Sequence, residues 1–159
     1  MSLPDSMREK PRYLLILTCS QRKRIDTAPL PAIDRYTGVN FQVLHKAKRE
    51  GYLPENLDIL ILSAKYGLIE ASTPIENYDL KMTKQRAMEL QSQVSRDLDN
   101  HLSKTNYEEI FVNLGKFYLI ATTPSKKITE LESKIVYATG GIGQKMSQMK
   151  DWLSQHKKI

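Results

Sequence analysis

The first group of residues suited to chemistry is a polar segment that follows a short apolar stretch. Five apolar residues, Tyr13 to Leu17, lead through Thr18 into Cys19-Ser20-Gln21-Arg22-Lys23-Arg24. A thiol becomes a strong nucleophile when it ionises, and neighbouring cations favour the ionised form. The same cations can bind a phosphate or another anion. This segment therefore predicts covalent catalysis, anion binding, or both.

Cys19 and Lys23 each allow two interpretations. Cys19 is either a nucleophile or a small apolar side chain buried at a strand end, and burial is favoured because no histidine is near it in sequence. Lys23 is the stronger chemical candidate, as an anion ligand or as a desolvated amine nucleophile, and its alternative is a solvated loop cation. We assign candidate catalytic roles to Cys19 and Lys23, and substrate-binding roles to Ser20 and Arg22.

A second polar cluster follows the apolar run from Leu57 to Leu62. Its members are Ser63, Lys65 and Tyr66. A lysine beside a tyrosine can hold a phosphate or position a proton, although an aromatic residue before a glycine is also typical of packing in a turn. We predict that all three side chains contact the substrate.

A third cluster, Asn77-Tyr78-Asp79, offers hydrogen-bonding groups suited to the edge of a base or a sugar. Asp79 is the candidate general base, with capping of the following helix as its alternative role. Asn77 and Tyr78 are predicted to bind substrate. Tyr36 joins them, because the charged and aromatic residues around it indicate a folded loop that returns toward the site.

Glycines mark two further candidate positions. Asn113 ends a third apolar run that Gly115 and Tyr118 follow, and Gly140, Gly141 and Gly143 precede the last predicted helix. Backbone N–H groups at a helix N-terminus attract anions, and glycine lets an anion approach closely. A phosphate cradle and a purely geometric turn are about equally compatible with this pattern. The spacing matches neither a P-loop nor a dinucleotide fingerprint, which disfavours ATP hydrolysis and ordinary dinucleotide binding.

The elements that must position these residues alternate between strand and helix. Apolar runs predict strands near residues 13–18, 57–63, 109–113 and 134–138. We expect a three-layer α/β/α sandwich with a small, mostly parallel, Rossmann-like sheet of about four strands. Parallel strands place their carboxyl ends on one edge, where open α/β sheets bind ligands, so all the clusters above would meet there. One α/β domain over residues 11–159 is expected, after an arm or cloning remnant at residues 1–10.

Turn and cap residues refine these boundaries. Gly51 is a candidate C-cap for a helix that begins at Val39, and Gly67 suits a sharp turn that needs a positive φ. Thr83 is a candidate N-cap for a long helix. One apolar stripe of that helix comprises Ala87, Leu90, Val94, Leu98 and Leu102. The last helix is predicted to bury the face that contains Ile142, Met146, Met149, Trp152 and Leu153.

Composition and charge restrict the class of protein. The chain has 159 residues, 40% of them hydrophobic, and a net charge of +6, which favours a globular fold and polyanionic partners. A single cysteine excludes an intramolecular disulfide, and no apolar run is long enough for a membrane helix. The three histidines lack ligand spacing, so we predict no metal. We expect a cytoplasmic protein without a membrane partner, whose cofactor is unspecified and which can form an oligomer.

Several of these motifs resemble a widespread, functionally uncharacterised bacterial and archaeal domain family. Members share a C-S-x-[KR]-K turn, an L-S-A-K-Y-G-L turn and a following Y-D, which correspond here to residues 19–23, 62–68 and 78–79. The resemblance extends from Leu14 to Trp152. It implies the same fold, and no particular activity.

The first turn is also similar to a signature of the archaeosine synthase core domain, P-C-x-x-x-K-P-Y-x-x-S-x-x-H. Cys19 and Lys23 match its C-x-x-x-K, whereas Thr18 replaces the first proline and Ala28 stands at the position of the serine. The likeness implies a nucleotide- or nucleic-acid-related site that uses a cysteine and a lysine.

The leading hypothesis is a small enzyme, a transferase or a hydrolase, that acts on a nucleotide or nucleic-acid-related phosphorylated substrate at the carboxyl edge of the sheet. Its alternatives are a noncatalytic nucleic-acid-binding module and a subunit of a larger complex.

Overall fold

The computed structural model describes residues 11–157, and the predicted arm at residues 1–10 lies outside them. The strands are β1 (Tyr13–Thr18), β2 (Leu30–Pro31), β3 (Leu57–Ser63), β4 (Gly67–Glu70), β5 (Pro74–Ile75), β6 (Glu109–Asn113) and β7 (Ile135–Tyr137). The helices are α1 (Ala32–Arg35), α2 (Val39–Glu50), α3 (Lys84–Lys104), α4 (Lys116–Thr122), α5 (Lys126–Glu130) and α6 (Ile142–His156), and a 3-10 turn at Glu132–Lys134 precedes β7. Within residues 11–157, no helix has the length and apolar character needed to cross a bilayer.

A five-stranded sheet in the order β4-β3-β1-β6-β7 forms the centre of the fold. The four predicted strands β3, β1, β6 and β7 are parallel. The prediction of about four strands missed β4, which pairs antiparallel with β3 at the edge. With only four residues after the turn, β4 is too short for alternation to be visible in the sequence. Gly67 begins it with φ of 76°, the positive value that the sharp turn requires.

Helices cover both faces of the sheet, and β1 shows why its sequence is continuously apolar. Leu14 and Ile16 pack with buried residues of α3 and α4, whereas Leu15 and Leu17 pack with those of α2 and α6. Because both faces of this central strand are buried, alternation with polar residues is lost. The sheet therefore has an apolar core on each side.

The predicted helix ends are largely confirmed. Gly51 is the left-handed C-cap of α2, and the Thr83 side chain accepts the N–H of Arg86 at 3.1 Å at the start of α3. Every residue of the predicted α3 stripe is buried. The buried face predicted for the last helix is wrong at Ile142, which begins α6 and is 75% exposed. Ile142 therefore has little cover from the rest of the fold.

The long loop between β1 and α2 is ordered around one buried cation. It contains β2, which pairs antiparallel with β5, and the single turn α1. Arg35, at the end of α1, is fully buried, and its guanidinium donates to four backbone carbonyl oxygens. These carbonyls belong to Arg24, Asp26, Ala28 and Ile75. The guanidinium thus gives the loop between Cys19 and Gly38 a defined shape.

Candidate functional site

Cys19 lies at the carboxyl end of β1, at the centre of the candidate site. Its backbone N–H donates to the carbonyl of Leu62 on β3, and its side chain is buried, with 8% of the residue exposed. Its Sγ lies 3.3 Å from the hydroxyl oxygen of Tyr118 on α4. Burial, and then the charge of an ionised Cys19, raise the pKa of Tyr118 above its usual value. Tyr118 therefore keeps its proton, and either group of this pair can donate the hydrogen bond.

A cavity of about 310 Å³ opens beside Cys19. It is lined by residues that follow β1 and β6, by the start of α2 and by the start of α6. They are Thr18, Cys19, Ser20, Gly38, Val39, Asn40, Phe41, Asn113, Gly115, Ile142 and Lys145. We call this space the switch-point cavity, because it lies where the connections that leave two adjacent parallel strands diverge.

The connections that leave β1 and β6 diverge. β1 continues through α2 to its neighbour β3, whereas β6 continues through α4 and α5 to β7 on the opposite side. The helices of these connections also pack on opposite faces of the sheet. Adjacent parallel strands whose connections diverge leave a crevice at their carboxyl ends, and open α/β sheets bind ligands there. The cavity occupies this crevice.

Ser20 fixes the start of α2 against the cavity. Its Oγ donates to the carbonyl of Arg22 at 2.6 Å and accepts the N–H of Gly38 at 3.1 Å. A Cβ atom at Gly38 would lie 2.6 Å from the Ser20 Cβ, so only glycine allows this approach. The first turn of α2 contains no acidic residue. Its positive end consequently faces the cavity without a neutralising carboxylate.

Two hydrogen bonds shape the side of the cavity next to β6. The Thr18 hydroxyl accepts the N–H of Gly115 at 3.0 Å, and Lys145 Nζ donates to the carbonyl of Leu114 at 3.1 Å. Within residues 11–157, Lys145 is the only charged residue that lines the switch-point cavity. The cavity is therefore electropositive, with one ammonium group and one helix N-terminus.

A chain of hydroxyl groups lies near Cys19, among residues that do not line the cavity. Tyr36 and Tyr78 approach to 2.7 Å between their hydroxyl oxygens, and Tyr78 lies 2.9 Å from Ser63 Oγ. Burial, followed by the charge of an ionised Cys19, raises the pKa of both tyrosines above the usual value. Both therefore keep their protons and can donate them. We call Tyr36, Tyr78 and Ser63 the hydroxyl chain.

Two lysines flank Tyr78. Lys23 Nζ lies 4.5 Å from the centroid of the Tyr78 ring, and Lys65 Nζ lies 5.8 Å from the same centroid and 5.3 Å from that of Tyr66. All three distances are within the range of a cation–π interaction. Partial burial lowers the pKa of Lys23, and the charges of Cys19 and Asp79 oppose that shift. Lys23 is thus close to Cys19, Tyr78 and Asp79.

The backbone N–H groups of the glycine turn before α6 are less available to an anion than those of a phosphate cradle. Gly140, Gly141 and Gly143 are exposed, and the N–H of Gly141 donates to the Gln144 side chain at 2.9 Å. Gln148 similarly pairs with the backbone of Thr139. Two glutamines of α6 therefore satisfy the turn. Ile142 and Lys145, rather than these glycines, line the cavity.

The predicted residues thus form two regions near Cys19. Ser20 and Gly115 belong to the cavity, whereas Lys23, Lys65 and Tyr66 lie beside the hydroxyl chain of Tyr36, Ser63 and Tyr78. Arg22, Asn77 and Asp79 are exposed, and Asp79 acts on Lys23 through its charge. Within residues 11–157, no three His, Cys, Asp or Glu side chains converge as metal ligands would.

Three residues that were not predicted from the sequence contribute to the site. Asn40 and Lys145 line the cavity, and Arg35 orders the loop that bears Lys23. Asn113, which is expected at this edge because it ends a predicted strand, also lines the cavity. Asn40 and Lys145 lie in the first turns of helices that follow glycines, a weaker signal, and nothing in the sequence distinguishes Arg35 from a surface cation.

Comparisons with known proteins identify relatives without a known activity. The model of a family of unknown function, DUF6884, matches residues 14–151. No curated protein matches the sequence significantly. The chain is similar to the crystal structure of AF0587, a protein of unknown function, with a TM-score of 0.55, 13% identity and coverage of 94% of this chain and 47% of that chain. This chain spans about half the length of that structure, and the similarity shows the fold alone.

Proposed function

The chain belongs to DUF6884, a family of unknown function, and we propose from its site that it is an enzyme acting on a nucleotide or nucleic-acid-related phosphorylated substrate. The substrate binds in the switch-point cavity. The location of this cavity carries the proposal, because Cys19 forms part of its wall at the carboxyl ends of β1 and β6. A concave site with a few convergent polar groups is the usual form of a small-molecule site.

The charge of the cavity supports a phosphorylated substrate. Lys145 contributes an ammonium group, the N-terminus of α2 contributes a positive dipole end, and no Asp or Glu is among the lining residues. A phosphate placed between Lys145 and the first amides of α2 would find cationic partners without carboxylate repulsion. Lys145 thus takes the anion-binding role that the sequence suggested for the glycine turn.

The groups around Cys19 support a catalytic role. Cys19 is the candidate nucleophile, and Tyr118 and the hydroxyl chain are candidate proton donors close to it. Lys23 has a lowered pKa because of its partial burial, so it holds its proton less firmly than an exposed lysine and is a candidate base. These roles fit a transferase or a hydrolase.

We further propose that the sheet is the middle layer of a three-layer, Rossmann-like α/β/α sandwich. The C-x-x-x-K spacing of Cys19 and Lys23 resembles that of the archaeosine synthase core domain. That resemblance supports a nucleotide- or nucleic-acid-related substrate. The single cysteine favours a cytoplasmic location.

Binding measurements test the proposal. Isothermal titration calorimetry with the four ribonucleoside monophosphates should detect at least one ligand, and Lys145→Gln should weaken its binding about 10-fold, as loss of a hydrogen bond to a charged group does. Lys150→Gln is the matched control, because Lys150 is an exposed lysine of the same helix. Failure of every nucleotide to bind, or equal effects of the two substitutions, would contradict the proposal.

The lysines beside Tyr78 favour a second candidate function, binding of a nucleic-acid strand. Lys65 is exposed, and with Lys23 it surrounds an aromatic ring on which a base can stack. Affinity for an oligonucleotide would then decrease steeply as salt rises, since counterions are released on binding. A mononucleotide site would show a much smaller salt dependence. Titrations of a short RNA at two salt concentrations distinguish the candidates.

A further inference from the structure

Asn113 presents a buried carboxamide with little bonding inside the protein. The residue is 3% exposed, it ends β6, and it lines the switch-point cavity. Among the described residues, the one partner of its carboxamide is Met149, whose Sδ lies 3.6 Å from Asn113 Nδ2. A thioether is a weak acceptor, and buried polar side chains normally have strong partners. The carboxamide is therefore available to a molecule in the cavity.

Asn40 provides a second carboxamide in the same cavity. It lies in the first turn of α2, and its Oδ1 is buried without a hydrogen-bond partner within residues 11–157. Two neutral amide groups from separate elements thus line one space, and neither is satisfied by the protein. An amide offers a donor and an acceptor side by side, which matches the edge of a nucleobase that presents an adjacent acceptor and donor.

The remaining walls suit a flat ring. Val39, Phe41 and Ile142 contribute apolar surface, and Ile142 is 75% exposed at the start of α6. A side chain this exposed has no packing role in the fold. The volume of about 310 Å³ is at the lower end of the range for small-molecule sites, so it suits one nucleoside better than a length of polymer.

We propose that the switch-point cavity binds a nucleobase, with Asn113 and Asn40 bonding to its edge and Ile142 covering its face. This inference rests on the proposed function and adds that the base, as well as the phosphate, determines which substrate binds. Lys145 and the start of α2 hold the phosphate on the same ligand. A base whose edge lacks the matching donor and acceptor leaves the buried amides unpaired and is bound less tightly.

The test measures the contribution of the base to binding separately from that of the phosphate. Binding of the four ribonucleoside monophosphates and of ribose 5-phosphate is measured by calorimetry with the wild-type chain, Asn113→Ala and Asn40→Ala. The control is Asn100→Ala, which alters an exposed asparagine of α3 outside the cavity. We expect one nucleotide to bind at least about 10-fold more tightly than ribose 5-phosphate. Each cavity substitution should weaken that nucleotide about 10- to 100-fold and leave ribose 5-phosphate nearly unchanged.

Two negative results of this experiment would lead to different conclusions. If nucleotides and ribose 5-phosphate bind equally well and neither cavity substitution changes either affinity, base recognition is wrong and the phosphate site stands. If no ligand binds to the wild-type chain, the proposed function is wrong together with this inference. Asn40→Ala keeps the test decisive should Asn113→Ala fail to fold, because Asn40 is only partly buried.

Discussion

Ser63 donates its hydroxyl proton to Tyr78. Ser63 Oγ accepts the N–H groups of Lys65 at 3.1 Å and Tyr66 at 3.0 Å, which occupies both lone pairs and leaves its proton for the Tyr78 oxygen at 2.9 Å. Tyr78 and Tyr36 form the second contact of the hydroxyl chain, at 2.7 Å. The three hydroxyl groups of the chain carry three protons, but they make only two hydrogen bonds with one another. One tyrosine O–H is left for another partner near Cys19, either the sulfur or a bound ligand.

Ser63→Ala should destabilise the fold by about 1–3 kcal/mol, the usual effect of leaving buried polar groups unsatisfied. Ser63 is fully buried, and its loss removes the acceptor of two backbone N–H groups as well as the donor to Tyr78. The free energy of unfolding in urea measures the effect. Ser103→Ala removes an exposed hydroxyl of α3 and should change it by less than about 0.5 kcal/mol. Equal effects of the two substitutions would show that the buried serine does not organise this region.

Lys23 should react with an amine-selective reagent at a lower pH than is usual for lysine. Burial lowers its pKa, so the neutral amine forms earlier as pH rises. The folded state also holds this proton less tightly than the unfolded state. The charge of Lys23 therefore opposes folding below the folded-state pKa, and this cost disappears as the pH rises above the ordinary lysine value.

Mass spectrometry of peptides labelled at a series of pH values gives the midpoint for Lys23. Denatured protein, labelled in the same way, provides the reference midpoint for the unperturbed side chain. Coincident midpoints in the folded and the denatured protein would rule out the desolvated amine.

The sequence predicts the parallel part of the sheet well because buried strands and amphipathic helices have strong periodic signals. β1, β3 and β6 begin and end within a residue of their predicted bounds. β4 and the ribbon of β2 and β5 escape prediction because strands of two to four residues contain too little pattern. Exposed Ile142 contradicts the predicted buried face because apolar periodicity shows which side of a helix a residue occupies, and not whether another element covers it.

The candidate site could be predicted only in part. Topology alone places Cys19, Ser63 and Asn113 at one edge, since each ends a parallel strand or directly follows one. The separation of these residues into a cavity and a hydroxyl chain could not be inferred, because it depends on which side chains meet in space. The glycine turn is an example. Its sequence suggests backbone N–H groups that are free to bind an anion, whereas the N–H of Gly141 donates to the side chain of Gln144 in the following helix.

Arg35→Met should destabilise the protein by more than about 3 kcal/mol, since breaking a buried charged network belongs to the most costly class of substitution. The guanidinium is fully buried and donates to four carbonyl oxygens, which would lose their partner. Thermal unfolding measures the loss, and limited proteolysis should show new cleavage between Cys19 and Pro31. Arg24→Met is the control, because Arg24 is an exposed residue of the same loop that pairs with Asp26. A loop equally resistant to protease in both variants would contradict the ordering role of Arg35.

Asp99→Asn should reduce stability by about 0.3–1 kcal/mol at neutral pH, the typical effect of removing a negative charge from a helix N-terminus. Burial alone would raise the pKa of Asp99, but hydrogen bonds from Ser125 and from the backbone of Lys127 and Lys126 lower it below its usual 3.8. The carboxylate of α3 thereby holds the start of α5, where it accepts the Ser125 hydroxyl at 2.6 Å and the Lys127 N–H at 3.0 Å.

A group with a lowered folded-state pKa stabilises the fold above its unfolded value, and this contribution is lost as the pH falls through the folded value. The difference in unfolding free energy between wild type and Asp99→Asn should therefore be largest above pH 3.8 and should shrink below it. Urea unfolding from neutral pH to about pH 3 measures this trend. Asp151→Asn, at an exposed position of α6, should parallel the wild type throughout. A constant difference for Asp99→Asn across the series would mean that its charge does not stabilise α5.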